Sequence, residues 1–133
     1  MWNGPDRRNR RSLRMCEAAR LQLENTSSRY GVEALSVSDE RGLVVAASAD
    51  DERCEVLAAH APLLCRGGGR EVRYQVYRSI SEEMPQTGLR TLSVREFVVD
   101  GQSLFLCAIG ERTQRKEAAL QQAVTGLRRI LCA

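Results

Sequence analysis

The sequence has few of the residues that build metal and cofactor sites. The chain of 133 residues contains one histidine, six aromatic residues and five cysteines, and no two cysteines form a CxxC pair. Zinc sites need closely spaced cysteine and histidine ligands, so we predict no metal site and no bound cofactor. Widely spaced cysteines among apolar residues are typical of reduced thiols in the core of a protein from a reducing compartment.

Long apolar runs are also missing. No stretch approaches the roughly 18 to 20 apolar residues of a membrane-spanning helix, and no hydrophobic signal core follows the arginine-rich start. Hydrophobic residues make up 43% of the chain and charged residues 28%, which is the composition of a globular protein with one core. We therefore expect a cytoplasmic protein.

Positive charge is unevenly distributed along the sequence. The net charge is +3, and residues 1–14 hold five arginines against one aspartate, so the remainder is close to neutral. We interpret residues 1–11 as a flexible arginine-rich tail and residues 12–133 as a single domain. Binding of nucleic acid or of an anionic membrane would then depend on the tail, and the near-neutral body favours protein partners. The tail arginines are Arg7, Arg8, Arg10 and Arg11.

The first half of the chain predicts two helices around a β-hairpin. A helical pattern begins at Ser12 and is expected to end at the polar cluster 25–28. Residues 32–38 and 43–48 are two short strands joined by a tight turn that ends in glycine. A second helix follows, with apolar residues three and four positions apart, and Pro62 is expected to kink it or to end it about a turn earlier.

The segment 70–80 follows three consecutive glycines and alternates between apolar and polar residues. Alternation with a period of two predicts a half-buried strand. Its apolar members include Val72, Tyr74, Val76 and Ile80. We interpret the glycines 67–69 as a hinge or helix terminator, because the Gly-Lys-Ser/Thr sequence of a phosphate-binding loop does not follow them.

The C-terminal part predicts a second hairpin and a last helix. Residues 89–99 and 103–109 flank an Asp-Gly pair, which is a strong hairpin signal. The apolar face changes between Val94 and Phe97, which indicates a bulge near positions 95 and 96. The second strand is apolar almost throughout, as in a central strand covered on both faces, and a helical pattern begins at Arg112.

The predicted fold class is α+β, with element order αββαβββα. The strands would form a five-stranded antiparallel sheet with helices on both faces. Residues 31–48, with the sequence GVEALSVSDERGLVVAAS, precede acidic residues and an Ala/Leu-rich helix. This stretch resembles the Roadblock/LC7 family. The resemblance continues through the second Asp-Gly turn and the strand LFLCAIG into the last helix, and it covers roughly residues 12–131.

The resemblance implies a profilin-like Roadblock architecture and a non-catalytic, homodimeric adaptor or regulator. Its implied partners are a second copy, another Roadblock protein and a small Ras-like GTPase. Bacterial members similar to MglB and MglC act in cell polarity and motility, so recruitment to a cell pole is a further expectation.

The implied dimer interface lies on the second helix and on the edge of the third strand. Its residues would be Cys54, Leu57, Ala58, Ala61, Leu64, Tyr74 and Val76. The alternative is that the helical stripe only covers the sheet of a monomer.

Two other classes of function remain open from the sequence. A small-ligand sensor of profilin-like or PAS-like shape would need a cavity lined by converging polar groups. An enzyme could use Cys54 as nucleophile and His60 as base, but no third group that would orient the base is evident. We therefore predict that the chain is not an enzyme and has no catalytic residues.

Overall fold

The computed structural model describes residues 4–49, 52–66, 70–83, 92–110 and 114–132. The elements in chain order are α1 (Gly4–Tyr30), β1 (Ala34–Ser38), β2 (Val44–Ala47), α2 (Glu52–Arg66), α3 (Arg70–Glu83), β3 (Leu92–Val99), β4 (Gln102–Ile109) and α4 (Gln114–Leu131). The strands form one antiparallel sheet in the order β2-β1-β4-β3. Helices α1 and α4 cover one face, and α2 with α3 covers the other. The α+β class with helices on both faces is confirmed.

The first hairpin is confirmed, and its turn is closed by an aspartate and a glycine. The Oδ1 atom of Asp39 accepts hydrogen bonds from the backbone N–H groups of Arg41, at 2.9 Å, and Leu43, at 3.1 Å. Gly42 has a φ of 82°, a left-handed conformation that glycine adopts without steric cost. Both features were recognisable in the local sequence of the turn, and strand β1 is buried along its whole length.

The second hairpin is confirmed, but the predicted bulge is wrong. Strands β3 and β4 pair without interruption from Leu92 opposite Ile109 to Val99 opposite Gln102. The apolar face changes along β3 because different helices cover its two ends. Its first residues pack against the α2 and α3 side, whereas Phe97 and Val99 are buried on the α1 and α4 side. Regular alternation therefore explains the pattern without an extra residue.

Strand β4 is central and buried on both faces, as predicted. Alternate side chains enter the two cores of the domain. Leu104, Leu106 and Ala108 pack under α1 and α4, and Phe105, Cys107 and Ile109 pack under α2 and α3. This strand therefore joins two hydrophobic cores through a single sheet.

The strand predicted over 70–80 is wrong, because the chain forms helix α3 there. A strand would need an apolar residue at position 78, where the sequence has Arg78. Val76 and Ile80 are four residues apart, which places them on one face of a helix, and both are buried against the α2 side of the sheet. The described residues thus give four strands instead of five, in the order αββααββα.

Three helix boundaries differ from expectation. Helix α1 begins at Gly4, and its backbone continues through the region where the sequence pattern predicts a tail before Ser12. It passes through the polar cluster 25–28 and ends at Tyr30, where the next residue, Gly31, has a φ of 67°. This is the usual left-handed termination of a helix.

Helix α2 continues past its proline to Arg66 instead of ending a turn earlier. Helix α4 is confirmed from Gln114 onward. Glycines 67–69, interpreted above as a hinge or helix terminator, lie outside the described residues. No helix within the described ranges is long and apolar enough to cross a membrane.

Candidate interaction surfaces

The predicted dimer stripe of α2 lies in the core of the chain itself. Its five side chains are between 0% and 4% exposed. They are Cys54, Leu57, Ala58, Ala61 and Leu64. All but Ala58 belong to one cluster with residues of β4. These side chains have no surface to offer a second copy, so the monomer alternative describes their role. The large exposed apolar side chain of α2 is Leu63, at 49%.

Tyr74 and Val76 do not form a strand edge, because both are on helix α3. Tyr74 is 65% exposed, whereas Val76 is 6% exposed and belongs to the core. The predicted pairing edge is therefore absent from this segment. Within the described residues, the outer strands of the sheet are β2 and β3.

The outer edge of β3 carries a regular row of backbone groups. Asp100 and Gly101 both have positive φ and form a two-residue turn, so the flanking residues Val99 and Gln102 form a hydrogen-bonded pair. Hydrogen-bonded pairs alternate with non-hydrogen-bonded pairs along an antiparallel ladder. The N–H and C=O groups of Val98, and of every second residue before it, therefore point away from β4. In the part of the chain that the structure describes, no strand pairs with this edge.

Arg66 connects the end of α2 to this edge. Its guanidinium contacts both carboxylate oxygens of Glu96 on β3, at 3.2 Å and 2.8 Å, and lies 3.2 Å from Glu40 of the first turn. It also lies 5.2 Å from the centre of the buried Phe105 ring. Hydrogen bonding to Arg66 holds the pKa of Glu96 below its ordinary value. These contacts fix the middle of β3 relative to α2.

Cys54 and His60 are not brought together as a nucleophile and a base. They are six residues apart on one helix, which separates them by about 9 Å along its axis. Cys54 is buried, and the Nδ1 atom of His60 lies 2.8 Å from the carbonyl oxygen of Val56 in the preceding turn. The described ranges also contain no group of three or more His, Cys, Asp or Glu residues placed to hold a metal ion.

The thiol of Cys107 is among the most deeply buried ionisable groups. None of the five cysteines is in a disulfide, and burial, together with the proximity of Cys65, raises the pKa of Cys107 to about 12. A thiol that stays protonated is a poor nucleophile. This residue therefore acts as a small core side chain.

The free energy of unfolding is expected to fall as the pH rises from 9 toward 12. In this range an exposed thiol of ordinary pKa 9.0 loses its proton in the unfolded chain, whereas Cys107 keeps it in the folded chain. One proton contributes up to about 1.4 kcal/mol per pH unit. Urea unfolding at several pH values should show that the free energy of unfolding declines less steeply with pH in Cys107→Ala than in the parent chain. Equal slopes would contradict this placement of the thiol.

A polar groove lies between α1 and α4, with a volume of about 460 Å³. The hydroxyl of Tyr30 donates to Oε1 of Gln122, which joins the two helices across it. Gln22 and Gly126 lie opposite each other, and the missing side chain at Gly126 leaves room for the Gln22 amide. The lining residues are Gln22, Tyr30, Ala118, Gln121, Gln122, Thr125, Gly126 and Arg129.

No protein-family model, curated protein or solved structure matches the chain.

The sequence did not predict that the basic residues of α4 share a surface with α1. Arg128 and Arg129 are in the last turn of α4. The two helices are antiparallel neighbours, because Gln22 of α1 lies against Gly126 of α4 whereas Tyr30 reaches Gln122. The sequence signal was the pair of arginines near the C-terminus, but only the packing of α4 on α1 brings the end of α4 that carries them beside Met15 and Cys16 of α1.

Proposed function

We propose that the chain is a non-catalytic, homodimeric interaction module in which β3 of one copy pairs with β3 of a second. The observation that carries this proposal is the outer edge of β3, which is eight residues long, without proline or bulge, and unpaired among the described residues. Natural proteins usually protect such edges with bulges, prolines or covering segments. An antiparallel pair of identical edges satisfies the outward backbone groups of both strands, as a two-fold interface requires.

The Roadblock resemblance supports a role for this dimer as an adaptor or regulator. Its proposed partner is a small Ras-like GTPase or another Roadblock protein, in bacterial polarity or motility control. A regulator can act by repositioning its partner's residues, so it needs no catalytic side chain of its own. A pull-down from the native host, with GTP-loaded and GDP-loaded extracts compared, tests this. Nucleotide-dependent capture of a GTPase supports the proposal, and capture of neither class of protein counts against it.

Replacing Val98 with proline is expected to abolish dimerisation while the monomer fold is kept. The N–H of Val98 points away from β4, so proline removes a donor from the free edge and none from the β3 to β4 ladder. Val98 is 51% exposed and belongs to neither core cluster. Sedimentation equilibrium should show the parent chain as a dimer and Val98→Pro as a monomer with unchanged helical circular dichroism.

Val98→Thr is the matched control, because threonine keeps both the N–H group and the β-branched shape. It should dimerise like the parent chain. The proposed interface is excluded if the parent chain is a monomer at micromolar concentration, or if Val98→Pro and Val98→Thr dimerise equally.

The groove between α1 and α4 favours a second candidate, a sensor of a small polar ligand. Its volume of about 460 Å³ lies in the range of small-molecule sites, and amide, hydroxyl and guanidinium groups line it. Native mass spectrometry of the purified chain should then show a retained ligand that is lost in Gln122→Leu. A spectrum of the protein mass alone would count against this candidate.

A further inference from the structure

Positive charge is concentrated in the sequences of the two helices α1 and α4, which cover one face of the sheet. Helix α1 contains seven arginines against three carboxylates, and α4 contains four basic residues against one glutamate. The rest of the chain has nine basic and thirteen acidic residues. The two helices thus have an excess of seven positive charges in sequence, one of them on the buried Lys116, although the net charge is only +3. A surface of one sign attracts partners of the opposite sign.

The exposed arginines of this layer are largely unneutralised. Among the described residues, no carboxylate lies within ion-pair distance of five of them. They are Arg14, Arg29, Arg115, Arg128 and Arg129. The only acidic residue of α4, Glu117, is already bound at 2.7 Å by Arg95 of β3. Elsewhere, Arg53 and Arg66 contact glutamates. The positive charge of the layer is therefore available to an external partner.

The layer is long and continuous. The N-terminal part of α1 lies beside the C-terminal turn of α4, since Met15, Cys16 and Leu131 line one pocket. Arg14 is therefore at the same end as Arg128 and Arg129, and α1 continues from there toward Gly4 with four more arginines in sequence. At 1.5 Å per residue, the segment from Arg14 to Arg29 spans about 22 Å. This length equals about six to seven base pairs of duplex at 3.4 Å each.

We propose that the α1 and α4 layer binds the phosphate backbone of duplex nucleic acid without sequence preference. Arginine guanidinium groups would contact phosphates, and the amides and hydroxyl of the groove would bond phosphate and sugar oxygens. Insertion into a membrane surface as an amphipathic helix fits less well, because it would need a continuous apolar face. The exposed large apolar residues described on this layer are Leu13 and Leu21, which Arg14, Glu17 and Arg20 separate along α1.

Fluorescence anisotropy with a labelled DNA duplex of about 20 base pairs tests this proposal. The probe exceeds the length of the layer, and the double variant Arg128→Glu/Arg129→Glu reverses two charges on it. Loss of two phosphate contacts should weaken binding at least about tenfold and make the slope of log K against log salt shallower by about 1.8. The neutral variant Arg128→Gln/Arg129→Gln should also make the slope of log K against log salt shallower. It controls for misfolding caused by the reversed charges.

The matched control is Arg70→Glu/Arg78→Glu, which makes the same change in net charge on α3, across the sheet. It should bind the duplex with nearly the salt slope of the parent chain. The proposal is overturned if the parent chain does not bind the duplex, or if the α3 control loses as much affinity as the α4 variant. Binding only to phosphatidylserine vesicles, or only to polyglutamate, overturns it as well.

Discussion

Replacing Leu57 with alanine is expected to lower the free energy of unfolding by roughly 2 to 5 kcal/mol. The side chain is 1% exposed and lies between α2 and β4, in one cluster with Phe105 and Ile109. Truncation removes buried methyl groups and leaves a cavity that close-packed neighbours fill only in part. Urea unfolding at a single protein concentration measures the loss.

Leu63→Ala is the control for this experiment, because Leu63 is on the same helix and is 49% exposed. Its effect should stay within about 0.5 kcal/mol. The comparison also separates the two roles considered for the α2 stripe. If Leu57 contacted a second copy, Leu57→Ala would weaken association and leave the dilute monomer nearly as stable as the parent. That result, or equal losses in the two variants, would contradict the core placement.

The α2 stripe shows what spacing along a sequence can predict. Intervals of three and four correctly select the buried side chains Cys54, Leu57, Ala61 and Leu64. The same intervals do not say whether the apolar face meets the chain's own sheet or a second molecule. Only the position of α2 on β4 decides this, and that position depends on contacts between residues far apart in sequence.

Helix α3 shows where periodicity is ambiguous. Val72, Val76 and Ile80 fit both a spacing of two and a spacing of four, and β-branched residues favour strands. The discriminating signal was Arg78, which breaks the alternation but not the helical stripe. The two hairpins were predictable because their turns have local chemistry, an aspartate cap in one and an Asp-Gly pair in the other.

The surfaces were less predictable than the fold. Strand β3 is recognisable from sequence, but its position at the edge of the sheet depends on α3 not being a strand. The α1 and α4 layer was hidden because its charges are about a hundred residues apart in the chain and an acidic excess elsewhere offsets more than half of them. Net charge is a sum over the sequence, whereas a partner meets one face of the folded chain.

Replacing Gly42 with alanine is expected to cost about 2 kcal/mol or more, which exceeds the cost of the left-handed conformation alone. Gly42 has a φ of 82°, and a Cβ atom there would lie 3.1 Å from Cα of Ala59 and 3.3 Å from the carbonyl oxygen of Ala58. These are backbone atoms of α2 and cannot move like a side-chain tip. Pro62 has no N–H to donate to the Ala58 carbonyl, so the turn approaches the helix where its hydrogen bonding is interrupted.

Gly31→Ala is the matched control for the turn. Gly31 has a similar φ of 67°, but a Cβ atom there would meet nothing within 4 Å. It should therefore show only the conformational cost, about 1 to 2 kcal/mol. Because both variants share that cost, the difference between their unfolding free energies measures the contact between the first hairpin and α2. Equal losses would mean that the first hairpin is not in close contact with α2 at Gly42.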